Sequence, residues 1–411
     1  MSAVPLSTVF PVPFIEPWIS GKVVAQILLD SGHETYFVGG CVRDGLLDIP
    51  VHDVDLATAA HPDTVEAVCC RAGLKTIAVG KAFGVIVVVS PSGENVEVAT
   101  FRSDSVYVDG RRPTSVSYSD ARTDVDRRDF TINALLVDPT SGNIIDHVGG
   151  IDDLRQRRIR AVGDAAARLS EDRLRVLRAL RFAAQLDFAI DAATWEALCA
   201  TNLDGLSGER LMQEWDKAMA CRHPDRWLSL LSSSGRLKEW CPPLQGIALA
   251  QTLVRLQRPA PTLAVRCAIC LTEAPIDPTV AWLKDQPLPS ERIQIITWLL
   301  TTDIEQIHGA PAPARWRALR RGWPIELVEY QSCRAPEHPV LPTLRTWAAD
   351  SRSTRTWKPM LRAADLMGLG FTPGPALGKA LAAIEDQELA GELTNREQAL
   401  SYAARLRHAA L

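Results

Sequence analysis

The hydrophobic spacing of this chain changes character near residue 168, and that change constrains the fold more than any other feature. Ahead of it, helical and strand patterns alternate. Residues 17–32 place Trp18, Val23, Val24, Ile27 and Leu28 at helical spacing and stop at Ser31-Gly32. Tyr36-Phe37-Val38 then reads as a short strand running into Gly39-Gly40, with a second helix from Val42. Residues 51–57 alternate Asp53 and Asp55 with Val54 and Leu56, a strand with two carboxylates on one face. Val85–Ser90 and Asn95–Phe101 form a hairpin-like pair about Pro91-Ser92-Gly93. Residues 103–126 are polar and turn-rich, and Phe130–Asp138 is apolar again. Beyond residue 168 only helical spacing remains, in Leu169, Leu174, Leu177, Leu180 and Ala184, and in the segments 195–200, 210–220, 227–231, 264–271, 293–300 and 315–320. Prolines 259, 261, 275, 278, 287 and 289 read as interhelical loops. The expected fold is α+β, a small mixed head followed by an all-helical remainder. At 411 residues the chain exceeds the ~250–300 residues at which single cores stop growing, which excludes one small binding module.

No apolar run reaches the ~18–20 residues that a membrane span needs. The first fifteen residues lack Lys and Arg and are broken by Pro5, Pro11 and Pro13, unlike a secretory or transit segment, so the expected compartment is the cytoplasm. Nine cysteines, an odd number, suit reduced thiols, and Cys267 with Cys270 reads as a buried helical pair because no second Cys or His pair follows at zinc spacing. Net charge is −4, which by itself argues against a nucleic-acid partner. Its distribution argues the other way: between Arg155 and Arg181 lie nine arginines and three acids. Every one of those bases is Arg, which favours planar, bidentate contacts with phosphates or base edges.

Asp53-x-Asp55 offers the paired carboxylates that hold Mg²⁺ against nucleotide phosphates. The triplet alone is weak, since Asp124-Val125-Asp126 repeats it. Context favours the first, because Gly39-Gly40, a helix start and Arg43 precede it and can approach phosphate oxygens. Glu97, on the next strand, is either a third carboxylate for the metal, an acceptor for the proton of an attacking hydroxyl, or a surface residue. Arg127-Arg128-Asp129 with Asn133 could hold a triphosphate through the arginines and a ribose through Asp129 or Asn133, unless Asp129 only caps a helix. Glu171, Asp172 and Arg175 fall on one helical face, opposite the leucine stripe. They form either an intrahelical salt bridge or a base reader: a carboxylate accepts from an exocyclic amine while a guanidinium donates to a ring nitrogen or carbonyl, a pattern that suits adenine and cytosine alike.

Taken in order, GGCVRDGLLD (39–48), DVD (53–55), EVATFR (97–102), YVDGRRP (107–113), RRDFTINAL (127–135), GGIDDLRQRRIRAVGD (149–164), EDRLRVLRALRF (171–182) and GERLMQE (208–214) resemble the class II tRNA nucleotidyltransferase and bacterial poly(A) polymerase family, within the DNA polymerase beta superfamily. The resemblance covers residues 20–245, and residues 370–400 look like the tail of the members that build tRNA ends. It implies a catalytic head over 17–165, a helical neck over 166–230, and a helical body and tail over 231–411 that bind tRNA. It implies Mg²⁺ at Asp53 and Asp55, triphosphate at Gly39, Gly40, Arg43 and Arg128, and ribose at Asp129. It further implies base reading of ATP or CTP by Asp172 and Arg175, supported by Glu171 and Arg178. The 103–126 segment resembles the element that switches between the two nucleotides. The implied activity is template-independent transfer from CTP and ATP to the 3′ end of tRNA, with the acceptor stem held by the Arg-rich segment. A poly(A) polymerase or an enzyme adding only the terminal A is the alternative. Ala82 stands where poly(A) polymerases carry a base, which weighs against the first of these, while VGKAFGVIVV (79–88) does not resemble the usual full CCA-adding version either, which leaves the A-adding alternative open. No His-Asp phosphohydrolase pattern occurs in residues 220–411. The sequence sets no oligomeric state.

Overall fold

The computed structural model describes residues 8–104 and 116–409. The chain divides into two compact units, the first up to Gln245 and the second from Gly246.

The first unit is built on a seven-stranded mixed sheet in the order β3-β4-β5-β2-β1-β8-β9. Its elements in chain order are α1 (Trp18–Asp30), β1 (Thr35–Val38), α2 (Gly40–Leu46), β2 (Val54–Thr58), α3 (Pro62–Arg71), β3 (Lys75–Gly80), β4 (Val85–Val89) and β5 (Asn95–Thr100). There follow β6 (Arg102–Asp104), β7 (Val116–Tyr118), α4 (Ala121–Asp126), β8 (Leu136–Val137), β9 (Ile144–Ile145) and α5 (Gly150–Arg155). β2 pairs antiparallel with β1 and parallel with β5. Strand alternation assigns the two faces. Phe37 and Val54 meet α1 so closely that a Cβ on Gly21 would stand 2.7 Å from each. On the opposite face Val38, Ala57, Phe101 and Leu136 pack with Ala121 and Val125 of α4. Asp55 lies two residues before Ala57, hence on that second face, just beyond the apolar cluster. The register aligns it with Val38 on one side and Glu97 on the other.

Two local readings are corrected here. The second helix starts at Gly40 rather than Val42, and Asp53 precedes β2. The described parts of 103–126 hold the end of β6, β7 and α4, while residues 105–115, with all of YVDGRRP, lie outside the described residues.

The helical part of the first unit runs from α6 (Ala165–Glu171) through α7 (Leu174–Leu186), α8 (Ala192–Ala200), α9 (Gly208–Ala220), α10 (Pro224–Ser233) and α11 (Leu237–Trp240). A small parallel ribbon of β10 (Arg158–Ile159) and β11 (Ala189–Ile190) ties the two ends of the α6–α7 segment together. The single helix expected across 168–184 is two. Asp172 is extended, with φ −138° and ψ 100°, and its carboxylate accepts from the N–H of Leu174 at the start of α7. α7 is buried almost all round, and Trp215, Trp227 and Trp240 stack edge to face beside it, with ring centroids 4.7 and 5.0 Å apart.

The second unit is all helix among its described residues, from Ala250–Leu256 to Arg396–Ala409. Cys267 and Cys270 are buried in the helix Leu263–Leu271, and Pro278 sits in the first turn of Ile276–Lys284 rather than in a loop, a position where a missing N–H costs nothing. Several guanidiniums stack on indoles here, among them Arg315 over Trp347 at 4.2 Å and Arg320 over Trp357 at 4.3 Å. Among the described residues no helix is long and apolar enough to cross a membrane.

Candidate active site

A cleft of about 930 Å³ opens in the first unit. Gly39, Gly40, Arg43, Asp53, Asp55, Arg128, Asp129, Asn133, Asp172, Arg175 and Arg178 all line it, so residues as far apart in sequence as Gly39 and Arg178 face one space. Of the residues singled out by sequence, Glu97 and Glu171 do not line the cleft; Glu171 stands beside it, bound to Arg175. Glu97 lies elsewhere. It is exposed on β5, directly across from Asp55.

At one end, the turn from β1 into α2 is closed by Gly39 at φ +81°. A side chain there would be strained, and its Cβ would reach 3.5 Å from Asp55 Oδ2 and 3.7 Å from Arg128 Nη1. The bare backbone therefore leaves a cradle beside the carboxylate pair. Burial, then Glu97, then Asp53, push the Asp55 carboxyl up to about 6, against only partial relief from Arg128. Like charges crowded at a strand end are what a bound cation neutralises, so the donor set fits a hard divalent ion. Among the described residues no group of three or more His, Cys, Asp or Glu gathers to hold a metal.

Behind the cleft's arginines stands a second layer of acids. Arg43 is buried; it grips Asp44 with two nitrogens at 2.8 Å and donates to Asn133 Oδ1 at 2.6 Å. Asn133 in turn donates to Asp129 at 3.1 Å, and Arg178 holds the other Asp129 oxygen at 2.6 and 2.9 Å. Burial would raise the Asp129 carboxyl, but Arg178 and Asn133 outweigh it and hold it down at about 2. Asp129 caps no helix; it accepts from the N–H of Phe130. Arg175 donates to Glu171 at 2.7 Å, to the Arg168 carbonyl and to the Arg127 carbonyl. Asp172 accepts from Arg210 at 2.8 Å. Both members of the proposed base reader are thus held in place by neighbours, though across a helix break rather than on one helical face.

Sequence reasoning missed several contributors. Asp124, set aside as half of a chance triplet, is buried and binds Arg127 at 2.6 Å and Arg128 at 2.9 Å. Glu214 of α9, also buried, receives Arg181 at 2.6 Å. Arg181, Phe182, Gln185, Lys217 and Arg222 line the cleft as well. The Phe182 ring carries Arg43, Arg178 and Arg181 at 4.9, 5.3 and 4.2 Å. Its phase on α7, after three arginines at i, i+3 and i+6, was the available signal.

The Arg-rich stretch is not the open positive surface its local charge implies. Eight of its nine arginines pair with acids: Arg155 with Asp152, Arg157 with Asp187, Arg158 with Asp153 and Asp191, Arg160 with Asp153, Arg168 and Arg175 with Glu171, Arg178 with Asp129, and Arg181 with Glu214. The ninth, Arg173, donates to the Asp204 carbonyl. The fold brings in acids that lie outside the stretch in sequence.

Two family models match the chain: "Poly A polymerase head domain" over residues 35–160, and "Probable RNA and SrmB- binding site of polymerase A" over residues 187–246. A CCA-adding enzyme of Lactococcus lactis is 43% identical over 246 residues, 59% of this chain and 60% of that protein. A CCA-adding enzyme of Streptococcus pyogenes is 45% identical over 205 residues, 49% of this chain and 50% of that protein. The match thus spans between half and 60% of the length of these relatives. Among solved structures, the Bacillus stearothermophilus CCA-adding enzyme in complex with CTP aligns with a TM-score of 0.79 at 29% identity, over 97% of this chain and 99% of that one. The order of the motifs, the head and the cleft agree with these likenesses: residues 35–160 match the poly(A) polymerase head domain, and the chain is similar to CCA-adding enzymes in sequence and in fold.

Proposed function

We propose that the chain transfers nucleotides from CTP and ATP, without a nucleic-acid template, to the 3′ end of tRNA, building or repairing its CCA terminus and releasing pyrophosphate. The observation that carries this reading is a single cleft joining Gly39-Gly40, the Asp53/Asp55 pair and Arg128 to Asp172 and Arg175. A carboxylate pair alone suits any phosphoryl transfer; a protein-borne base reader beside it replaces a template strand. The names of the matched relatives support CCA addition over a poly(A) or A-only activity.

The roles follow from the chemistry of each group. Gly39 and Gly40 leave backbone N–H groups open to phosphate oxygens, Arg128 balances charge on the departing pyrophosphate, and Arg43 backs both. Asp129 and Asn133 serve the ribose. Asp172 accepts from the amine of cytosine or adenine while Arg175, steadied by Glu171 and flanked by Arg178, donates to the neighbouring acceptor. Guanine and uracil present the reverse order there, a carbonyl oxygen towards the Asp172 carboxylate and a ring N–H towards the Arg175 guanidinium, so neither pair forms. The RNA 3′-oxygen bonds to the α-phosphorus as the bond to the β-phosphate oxygen breaks in line. Asp53 and Asp55 would hold Mg²⁺, which when bound would supply Lewis-acid stabilisation of the charge developing in the transfer. Glu97, next to Asp55 in register, adds negative charge that favours the cation. We assign residues 17–165 to the catalytic head, 166–230 to the neck, and 231–411 to a body and tail that bind tRNA in the cytoplasm.

The test is incubation of the protein with tRNA ending before CCA, after C or after CC, with Mg²⁺ and each NTP singly or mixed, resolved on a sequencing gel. Growth that halts at CCA is expected. Long A tails on any RNA overturn the reading in favour of a poly(A) polymerase.

A further inference from the structure

Positive charge in the cleft is of two kinds. The guanidiniums of Arg43, Arg127, Arg128, Arg175, Arg178 and Arg181 each hydrogen-bond a carboxylate behind them. Lys217 and Arg222 line the same cleft, yet both are exposed, and neither has an ion pair among the described residues. We propose that Lys217 and Arg222 form a subsite for the phosphodiester backbone of the RNA strand whose 3′ end is being extended. The proposal rests on the functional reading above and adds the contact that reading leaves open.

Three observations carry it. First, the two cations are the cleft charges that are not already spent on protein acids, and they are solvated, so they hold counterions that an incoming polyanion releases. Second, their position is fixed relative to the base reader. Lys217 lies three residues beyond Glu214 on α9, and Glu214 is bound at 2.6 Å to Arg181 of α7, the helix that begins beside Asp172. A basic residue in a last helical turn is explained by the helix dipole alone; Arg222, past the end of α9, is not. Third, the triphosphate already has Gly39, Gly40 and Arg128 on the head, whereas both cations sit in the 187–246 segment whose family model is described by RNA binding. A strand delivering its 3′-hydroxyl to Asp53 and Asp55 has to enter from the exposed rim, and phosphates, not bases, are what ammonium and guanidinium groups engage there without sequence preference.

The test is binding of fluorescently labelled tRNA lacking its terminal A, measured by anisotropy over a range of KCl concentrations. The unaltered protein is compared with Lys217→Gln, Arg222→Gln and the double variant, with ATP and CTP binding measured in parallel. Each neutralised contact is expected to lower the slope of log affinity against log salt by roughly 0.7–0.9, additively in the double variant, and Lys217→Arg to restore it. Nucleotide affinity is expected to stay unchanged, which also reports an intact fold. An unchanged slope overturns the subsite. Weakened ATP and CTP binding with unaltered RNA binding overturns it too, making the pair a triphosphate clamp. If the unaltered protein retains no tRNA at all, the proposed function falls and takes the subsite with it; a slope unchanged against a tRNA-binding parent removes the subsite alone.

Discussion

Asp53-Val54-Asp55 and Asp124-Val125-Asp126 are the same tripeptide twice, and both central valines are buried. Secondary structure separates them. Asp55 lies in β2 with Asp53 immediately before the strand, and the two are close enough to repel. On a helix, residues two apart diverge by about 200°. Asp124 therefore enters the core between Arg127 and Arg128, and Asp126 stays outside with Arg122 at 3.3 Å. The first triplet accumulates unbalanced negative charge, while the second is spent on arginines. Identical residues thus become a cation seeker and an arginine anchor.

Four measurements break or sharpen that contrast. The largest effect is expected from Asp53→Asn or Asp55→Asn: incorporation falls by about a thousandfold or more, the equivalent of ~4 kcal/mol of lost charge stabilisation, while tRNA is still bound. Near-normal turnover by either variant would remove the metal assignment. Next comes Asp124→Ala. It strands two guanidiniums whose side chains are only 19% and 18% exposed, so unfolding in urea should show a loss of about 3 kcal/mol. A change under half that size would mean that the anchor is replaceable by water.

A third measurement uses pH and gives opposite signs for the two triplets. The folded Asp55 value, about 6, lies above the ordinary 3.8, so its stabilising contribution is complete below about 3.8 and lost as pH rises through 6. In protein stripped of divalent ions, Asp55→Asn should therefore raise the melting temperature near neutral pH, with the gain vanishing towards pH ~4. For Asp124, burial opposes the charged form, but Arg128 and Arg127 prevail and the value is lowered. Its contribution is present above the ordinary 3.8 and lost as pH falls through the lowered value, so the Asp124→Ala deficit should shrink in acid. Parallel trends in the two melting series would contradict the comparison. The smallest effect belongs to Asp126→Ala, a few tenths of a kcal/mol as for an exposed i,i+4 pair, with turnover intact. A large loss there would show that the second triplet also acts as a pair.

Much of this was legible in the residues. The change of spacing near 168 separates the sheet-bearing part from the helices, and the alternation around Asp55 and Glu97 orients both strands correctly because one face is buried. Motif order gathers eleven of the cleft's residues. What stayed hidden depends on long-range pairing. The positive stretch at 155–181 looked bare because Asp129, Asp153, Asp187, Asp191 and Glu214 reach it only through the fold. The break at Asp172 was masked because leucines on two successive helices kept an apparently continuous phase. Asp124 was discounted on frequency, which carries no information about burial.

The acids behind the cleft's arginines have a consequence for turnover. Guanidiniums that are already matched still offer well-directed donors to a polyphosphate, but together they project little long-range attraction. Under the proposed function, the triphosphate would be gripped through geometry while it fits, and the detached pyrophosphate would meet paired rather than bare guanidiniums on that wall. On the proposed reading, the same pairing that fixes the site's shape would help the by-product leave, so that one cleft could be emptied and refilled for each residue added.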